Sequence, residues 1–192
     1  MEITSDNIIE IIAVITSLLY TFLAGRNKII GWLFAIISSS LYVYINLKVQ
    51  LYFFSLLHFS YVLIAVYGWF EWRKDLRGGT FRFYGWKNIP VIILGTVLTF
   101  ILAFFAEKYT AQRLAYLDAA NFTFGLIASY MISKKIMESW IYLFIIDLVC
   151  IYIYLQTGLK NSAILFLFLT VLAANAFWDW WKQYKANKTQ AQ

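Results

Sequence analysis

Residues 140–156 read WIYLFIIDLVCIYIYLQ, a run whose single charge is Asp147. At about 1.5 Å of rise per residue, a helix here places Asp147 roughly 10 Å in from Trp140, near the centre of a ~30 Å hydrocarbon layer. An acid at that depth costs about 3 kcal/mol or more unless it is paired, protonated or facing a wet cavity. It therefore either marks a functional position or ties neighbouring helices together by a hydrogen bond. Helical spacing puts Trp140, Phe144, Ile151 and Tyr154 on the face of Asp147. The expected surface is one carboxylate among aromatic rings, suited to a flat cationic or polar ring system.

Working outward, the chain has 192 residues, 62% hydrophobic and 14% charged, with a mean hydropathy of +0.69. A soluble domain carries about 25% charged residues, so this is a polytopic membrane protein. Its net charge of +6 needs no nucleic acid, because Lys and Arg gather in the cytoplasmic loops of such proteins. The single cysteine, Cys150, sits in the apolar run and cannot form an intramolecular disulfide. The N-terminal MEITSDN lacks the basic region and small-residue cleavage site of a signal peptide, so the first helix is expected to stay.

Seven apolar segments are expected at 8–23, 29–47, 51–70, 89–105, 116–132, 140–156 and 161–178, and a basic linker, RKDLRGGTFRFYGWKN, fills 73–88. Pro90 falls in the first turn of the fourth helix, where its missing N–H costs nothing. Gly78 and Gly79 mark a turn, and the chain after Trp181 reads as a polar, frayed tail. Twelve basic residues fall on one side: Arg26 and Lys28, five from Arg73 to Lys87, Lys134 and Lys135, and Lys182, Lys185 and Lys188. Only Lys48, Lys108, Arg113 and Lys160 fall on the other. The bias predicts an outer N-terminus and a cytoplasmic C-terminus.

The chain also repeats itself without gaps at an offset of 108 residues, with Trp32 falling on Trp140, Tyr44 on Tyr152 and Leu51 on Leu159. Charges match as well: Glu10 with Asp118, Arg26 with Lys134, and Glu71-Trp72-Arg73-Lys74 with Asp179-Trp180-Trp181-Lys182. The expected fold is all-α, a single membrane domain over 1–192 with repeats at about 7–75 and 113–183, a linker and fourth helix at 76–112, and a tail at 184–192. Four crossings, the first unit's three plus the linker helix, precede the second three-helix unit, so both units enter the membrane in the same direction. That symmetry belongs to transporters whose site lies at the midplane between parallel repeats.

The halves differ at polar positions, as a ligand without symmetry requires. Asp147 falls opposite Ser39 in the Ser38-Ser39-Ser40 cluster, Asn121 opposite Ala13, and His58 opposite Phe166. Asn121, with Gly125 and Ser129 on following turns, reads either as a small-residue packing seam or as a site, and one face can serve both. Asn175 could donate to a ligand or bond a carbonyl across a helix contact. His58, the only histidine, has no Cys or carboxylate at metal spacing, so no metal or cofactor is expected and a packed histidine competes with a ligand contact. Glu10 and Asp118 read as entrance-lining or helix N-terminal charges. Trp69, Trp72, Trp178, Trp180 and Trp181 read as an interfacial aromatic belt. A membrane-embedded enzyme would need a nucleophile, a phosphate-binding motif or a His/Asp/Glu cluster, and the sequence shows none. A purely structural subunit would need neither Asp147 nor the asymmetry.

The helix-start Trp140, the stretch IIDLVCIYIYLQTGL (145–159), the box GWFEWRK (68–74) and the box KKIMESW (134–140) resemble the PnuC-type vitamin transporters, over nearly the whole chain. The resemblance implies a 3+1+3 helix fold similar to the SWEET sugar transporters, assembled as a homotrimer in the inner membrane. It implies facilitated diffusion of nicotinamide riboside, held inside by a cytosolic kinase; relatives carry thiamine or riboflavin. Nicotinamide riboside members show an Ala-Gln-Trp-like triplet late in the fifth helix, where this chain has Ala128-Ser129-Tyr130. The candidate substrate contacts are Asp147, Asn121, Ser129, Tyr130, Trp140, Phe144, Tyr154, Asn175, His58 and Ser39.

Overall fold

The computed structural model describes residues 5–48, 52–74, 80–109, 115–156 and 160–190. These form α1 (Ser5–Gly25), α2 (Ile30–Lys48), α3 (Tyr52–Lys74), α4 (Ile89–Tyr109), α5 (Ala115–Ser133), α6 (Ser139–Gln156) and α7 (Lys160–Gln190), with a 3-10 turn (Gly85–Asn88) leading into α4. The expected glycine turn at Gly78 and Gly79, the repeat pair Leu51 and Leu159, and Arg113 lie outside the described residues. Five of the seven helices are long and apolar enough to cross a bilayer by length and composition. The other two are α3 and α5, which carry polar groups such as His58 and Asn121 on the face between the halves.

The repeat is visible in the backbone. α1 ends in a loop where Asn27 takes a left-handed φ of 54°, and α5 ends in one where Lys135 does the same, also at 54°. Lys28 N–H reaches Leu23 O at 2.8 Å and Asn27 N–H reaches Ala24 O at 2.9 Å; the equivalent bonds are Ile136 to Met131 at 3.0 Å and Lys135 to Ile132 at 2.9 Å. This nested pair satisfies carbonyls that a helix end otherwise leaves open. Asparagine takes that conformation readily. Lysine does so at a cost, and here Lys135 is held from outside: Arg82 N–H donates to its carbonyl at 2.9 Å, and its ammonium lies 5.2 Å over the Trp72 ring.

Within each half the helices neighbour one another in chain order, α1–α2–α3 and α5–α6–α7. The halves meet along two seams, α3 against α5 and α7 against α1. Exchanging the halves converts one seam into the other, as a two-fold axis along the helices demands. α4 packs outside this ring, mainly on α5. It buries a stripe of small residues, Gly95, Thr99 and Ala103, four apart, and turns Leu94, Phe100 and Phe104 outward. A Cβ at Gly95 would lie 2.8 Å from the Phe124 ring, so the glycine sets how closely α4 and α5 approach.

The basic end of the bundle is closed by tryptophans from both repeats. Trp32 meets Trp72 edge-on (centroids 5.4 Å, 89°), and their counterparts Trp140 and Trp180 repeat that contact at 5.4 Å and 87°. Trp72 and Trp180 join the pairs at 6.1 Å, and Phe81 of the linker lies 4.7 Å from Trp180. Edge-to-face aromatic pairs contribute about 0.5–1.5 kcal/mol beyond their burial. The expected interfacial belt is thus corrected: Trp72 and Trp180 are buried in the core, while Trp178 is exposed. A tryptophan at a helix end can anchor to lipid or to another tryptophan, and here the two-fold brings four together. The linker is strapped across this end. Arg82 pairs with Ile136 as an isolated β-bridge, and buried Glu138 Oε1 accepts from Tyr84 N–H (2.8 Å), Gly85 N–H (2.6 Å) and Asn88 Nδ2 (2.9 Å).

The tail expected to fray continues α7 to Gln190. Trp181 and Tyr184 pack against Phe83 of the linker at 6.0 and 6.4 Å, and that contact holds the extra turns.

Candidate functional site

A cavity of about 540 Å³ lies between the halves, bounded at the basic end by Trp32 and Ala173 and reaching Glu10 at the other. Glu10 is exposed, so the mouth lies away from the tryptophans. The volume falls within the ~300–1,000 Å³ of small-molecule sites. Its walls are equivalent positions of the two repeats bearing different side chains. Ser39 and Asp147, Thr21 and Ser129, and His58 and Phe166 are each 108 apart, and all six line the cavity. Duplication built a symmetric chamber, and substitution made its lining asymmetric.

Asp147 is 7% exposed and lines this space. Among the described residues it has no hydrogen bond or ion pair, and neither has Asn121, which also lines the cavity. An acid buried this far without a partner is costly, so its position is explained by the cavity it faces. Two stacked aromatic pairs flank the chamber toward its mouth. Tyr42 stacks on His58 at 4.7 Å and 22°, and Tyr154 on Phe166 at 5.3 Å and 29°.

Of the ten candidate contacts, Asp147, Asn121, Ser129, Tyr154, His58 and Ser39 line this one cavity. The other four lie elsewhere. Trp140 is 1% exposed within the tryptophan cluster. Phe144 points outward, and Leu143 takes its place in the wall; both lie one turn before Asp147, and packing against α5 and α7 selects between them. Tyr130 is exposed and stacks on Tyr67 at 6.0 Å. Asn175 lines a separate pocket. Sequence reasoning missed Tyr42 and Tyr61, whose signal was their placement three residues after the repeat-matched positions Ser39 and His58. Gly125 proves to be packing seam and cavity wall at once, since a Cβ there would sit 2.5 Å from Tyr61 Oη. No group of three His, Cys, Asp or Glu that could hold a metal occurs among the described residues.

The separate pocket, about 240 Å³, lies at the basic end of the α1–α7 seam, where Arg26 pairs with Asp179 at 3.4 Å. The repeat-equivalent pair on the α3–α5 seam is Lys134 with Glu71 at 2.8 Å, and Lys74 adds a second contact to Glu71 at 3.1 Å. Hydrogen bonds from Lys134 and Lys74 hold the Glu71 carboxyl below the usual range, and Glu71, then Tyr67, push the Lys134 ammonium up. Trp72 Nε1 also donates to Ser133 O at 3.1 Å across this seam.

The nicotinamide riboside transporter PnuC of Escherichia coli (strain K12) is 21% identical over 201 residues, covering 90% of this chain and 84% of that protein. The nicotinamide riboside transporter PnuC of Neisseria mucosa is 22% identical over 166 residues, covering 82% and 63%. The crystal structure of a vitamin B3 transporter PnuC superposes with a TM-score of 0.75 at 20% identity, over 94% of this chain and 83% of that one. That likeness shows the fold: seven membrane helices arranged as two parallel three-helix repeats about a linker helix. The match to the nicotinamide mononucleotide transporter family extends over residues 7–182, and this chain belongs to that family.

Proposed function

We propose that this multi-pass membrane transporter takes up nicotinamide riboside across the inner membrane by facilitated diffusion, a cytosolic kinase then trapping it by phosphorylation. The carrying observation is the carboxylate of Asp147, unpaired among the described residues, in a closed-ended chamber flanked by stacked aromatic pairs. The pyridinium ring of nicotinamide riboside is flat and positive, which suits a carboxylate and aromatic faces together. Its ribose hydroxyls suit Asn121, Ser39 and Ser129. Relatives named for nicotinamide riboside support the same substrate. Thiamine also carries a positive ring and is the competing substrate; neutral riboflavin fits the carboxylate less well. The twelve-to-four basic bias supports a cytoplasmic position for the tryptophan-closed end, and the homotrimer implied by the resemblance belongs to the same proposal.

Liposomes holding the purified protein provide the test. Labelled nicotinamide riboside should equilibrate without being concentrated, and thiamine should compete weakly. Accumulation that collapses with a protonophore would refute facilitated diffusion. Stronger competition by thiamine would reassign the substrate.

A further inference from the structure

The two seams between the halves descend from one duplicated contact, yet they differ at the basic end, where the α1–α7 seam holds a pocket. The difference lies at equivalent positions. On the α3–α5 seam, Tyr67 stacks on Tyr130 at 6.0 Å and 16°, and the Lys134 ammonium lies 4.9 Å over its ring. On the α1–α7 seam those positions, 108 residues away, are Asn175 and Phe22. Asparagine replaces the tyrosine ring, and the pocket occupies the space left. Thr21 lines both this pocket and the central cavity, so the two spaces share a wall residue.

The seams also differ in what holds them. Arg26 and Asp179 meet at 3.4 Å with side chains 60% and 34% exposed, whereas Lys134 and Glu71 meet at 2.8 Å with 22% and 26%. An exposed pair contributes little. The α3–α5 seam is further held by Trp72 donating to Ser133 O, and the linker straps the adjoining α5–α6 loop through Arg82. Three of the four clustered tryptophans, Trp32, Trp140 and Trp180, have indole N–H groups without a partner among the described residues. Such groups favour an arrangement in which they are rehydrated. The closed end therefore has a weak side and a strong side.

We infer that the pocket lined by Thr21, Asn175 and Asp179 is the inner vestibule of the transport path, through which the substrate of the central cavity leaves between α1 and α7. The α3–α5 seam stays shut and serves as the hinge. Once released from Arg26, Asp179 offers a carboxylate to a cationic nucleoside in transit. The inference rests on the transport reading above.

Asn175→Tyr, which installs the side chain of the closed seam, tests it in liposomes and detergent with nicotinamide riboside and, in parallel, thiamine. The variant should bind with wild-type affinity in detergent and lose uptake. Asn175→Cys provides a form that folds without the bulky ring. It should transport until a large cationic thiol reagent is applied, while wild-type protein, whose only cysteine is 1% exposed, should be unaffected. Wild-type uptake by Asn175→Tyr or by labelled Asn175→Cys overturns the vestibule. So does a parallel loss of affinity and uptake, which would put Asn175 in the central site. Wild-type protein that binds neither compound overturns the transport reading, before any variant is compared.

Discussion

Replacing Asp147 with Asn removes one charge and almost no volume. Because Asp147 has no ion-pair partner among the described residues, the change strands no cation, and the several kcal/mol lost when a buried ion pair is broken do not apply. What is lost is the charge-assisted contact to a positive ring. Hydrogen bonds to charged groups contribute about 1.5–3 kcal/mol, which is roughly 10- to 150-fold in Kd. Calorimetric titration of nicotinamide riboside into detergent-purified Asp147→Asn reads that factor, and a melting curve of the same sample reads stability, which should hold or rise as a midplane charge is removed. Reduced nicotinamide riboside, whose ring is neutral, closes the cycle. Wild-type protein should bind it more weakly than the cation, and Asp147→Asn should barely discriminate. An unchanged Kd with a lowered melting temperature would refute the reasoning and return Asp147 to a structural role.

Glu138→Ala should destabilise the protein by roughly 2–5 kcal/mol, because three donors converge on one carboxylate oxygen and lose it together; the melting temperature reads this, and Glu138→Gln should recover much of it. Gly125→Ala should weaken substrate binding more than it lowers the melting temperature, since the crowded atom is the Tyr61 hydroxyl, which can give way only by shifting at the cavity wall. The Glu71 pair should add stability above the ordinary carboxyl value of 4.5, because its folded-state value is lowered, and lose it as the pH falls through that lower value. The melting-temperature gap between wild-type and Glu71→Gln should therefore be flat from neutral pH down to about 4.5, shrink as the pH falls from there to the lowered value, and be closed below it.

The overall architecture could be read from the chain because duplication left a gap-free register. Trp32 and Trp140, or Arg26 and Lys134, align only if whole three-helix units do. The left-handed residues Asn27 and Lys135 confirm that register in the backbone, although their side chains are too unlike to have suggested it. The site was legible where a polar group stood alone on an apolar helix, as with Asp147, Asn121 and His58. It was not legible where facing had to be chosen between neighbours. Leu143 and Phe144 both lie one turn before Asp147, and only helix packing puts the leucine in the wall. Tyr130 was drawn in by its neighbour Ser129, the member of that triplet facing the cavity with Ala128 buried behind it. The tryptophans misled because composition at a helix end looks the same whether the ring meets lipid or another ring.

That last cluster gives the protein a built-in optical reporter. Four of its eight tryptophans sit in ring contact at one end of the bundle, each no more than 3% exposed. Indoles in so dry a setting emit toward the blue, and at these separations they exchange excitation among themselves. Opening the α1–α7 side at that end would admit water to the cluster and move the emission toward the red. Conformational cycling of the unlabelled protein should then be visible in its own fluorescence, with Trp178 and Trp86, both largely exposed, supplying a constant background.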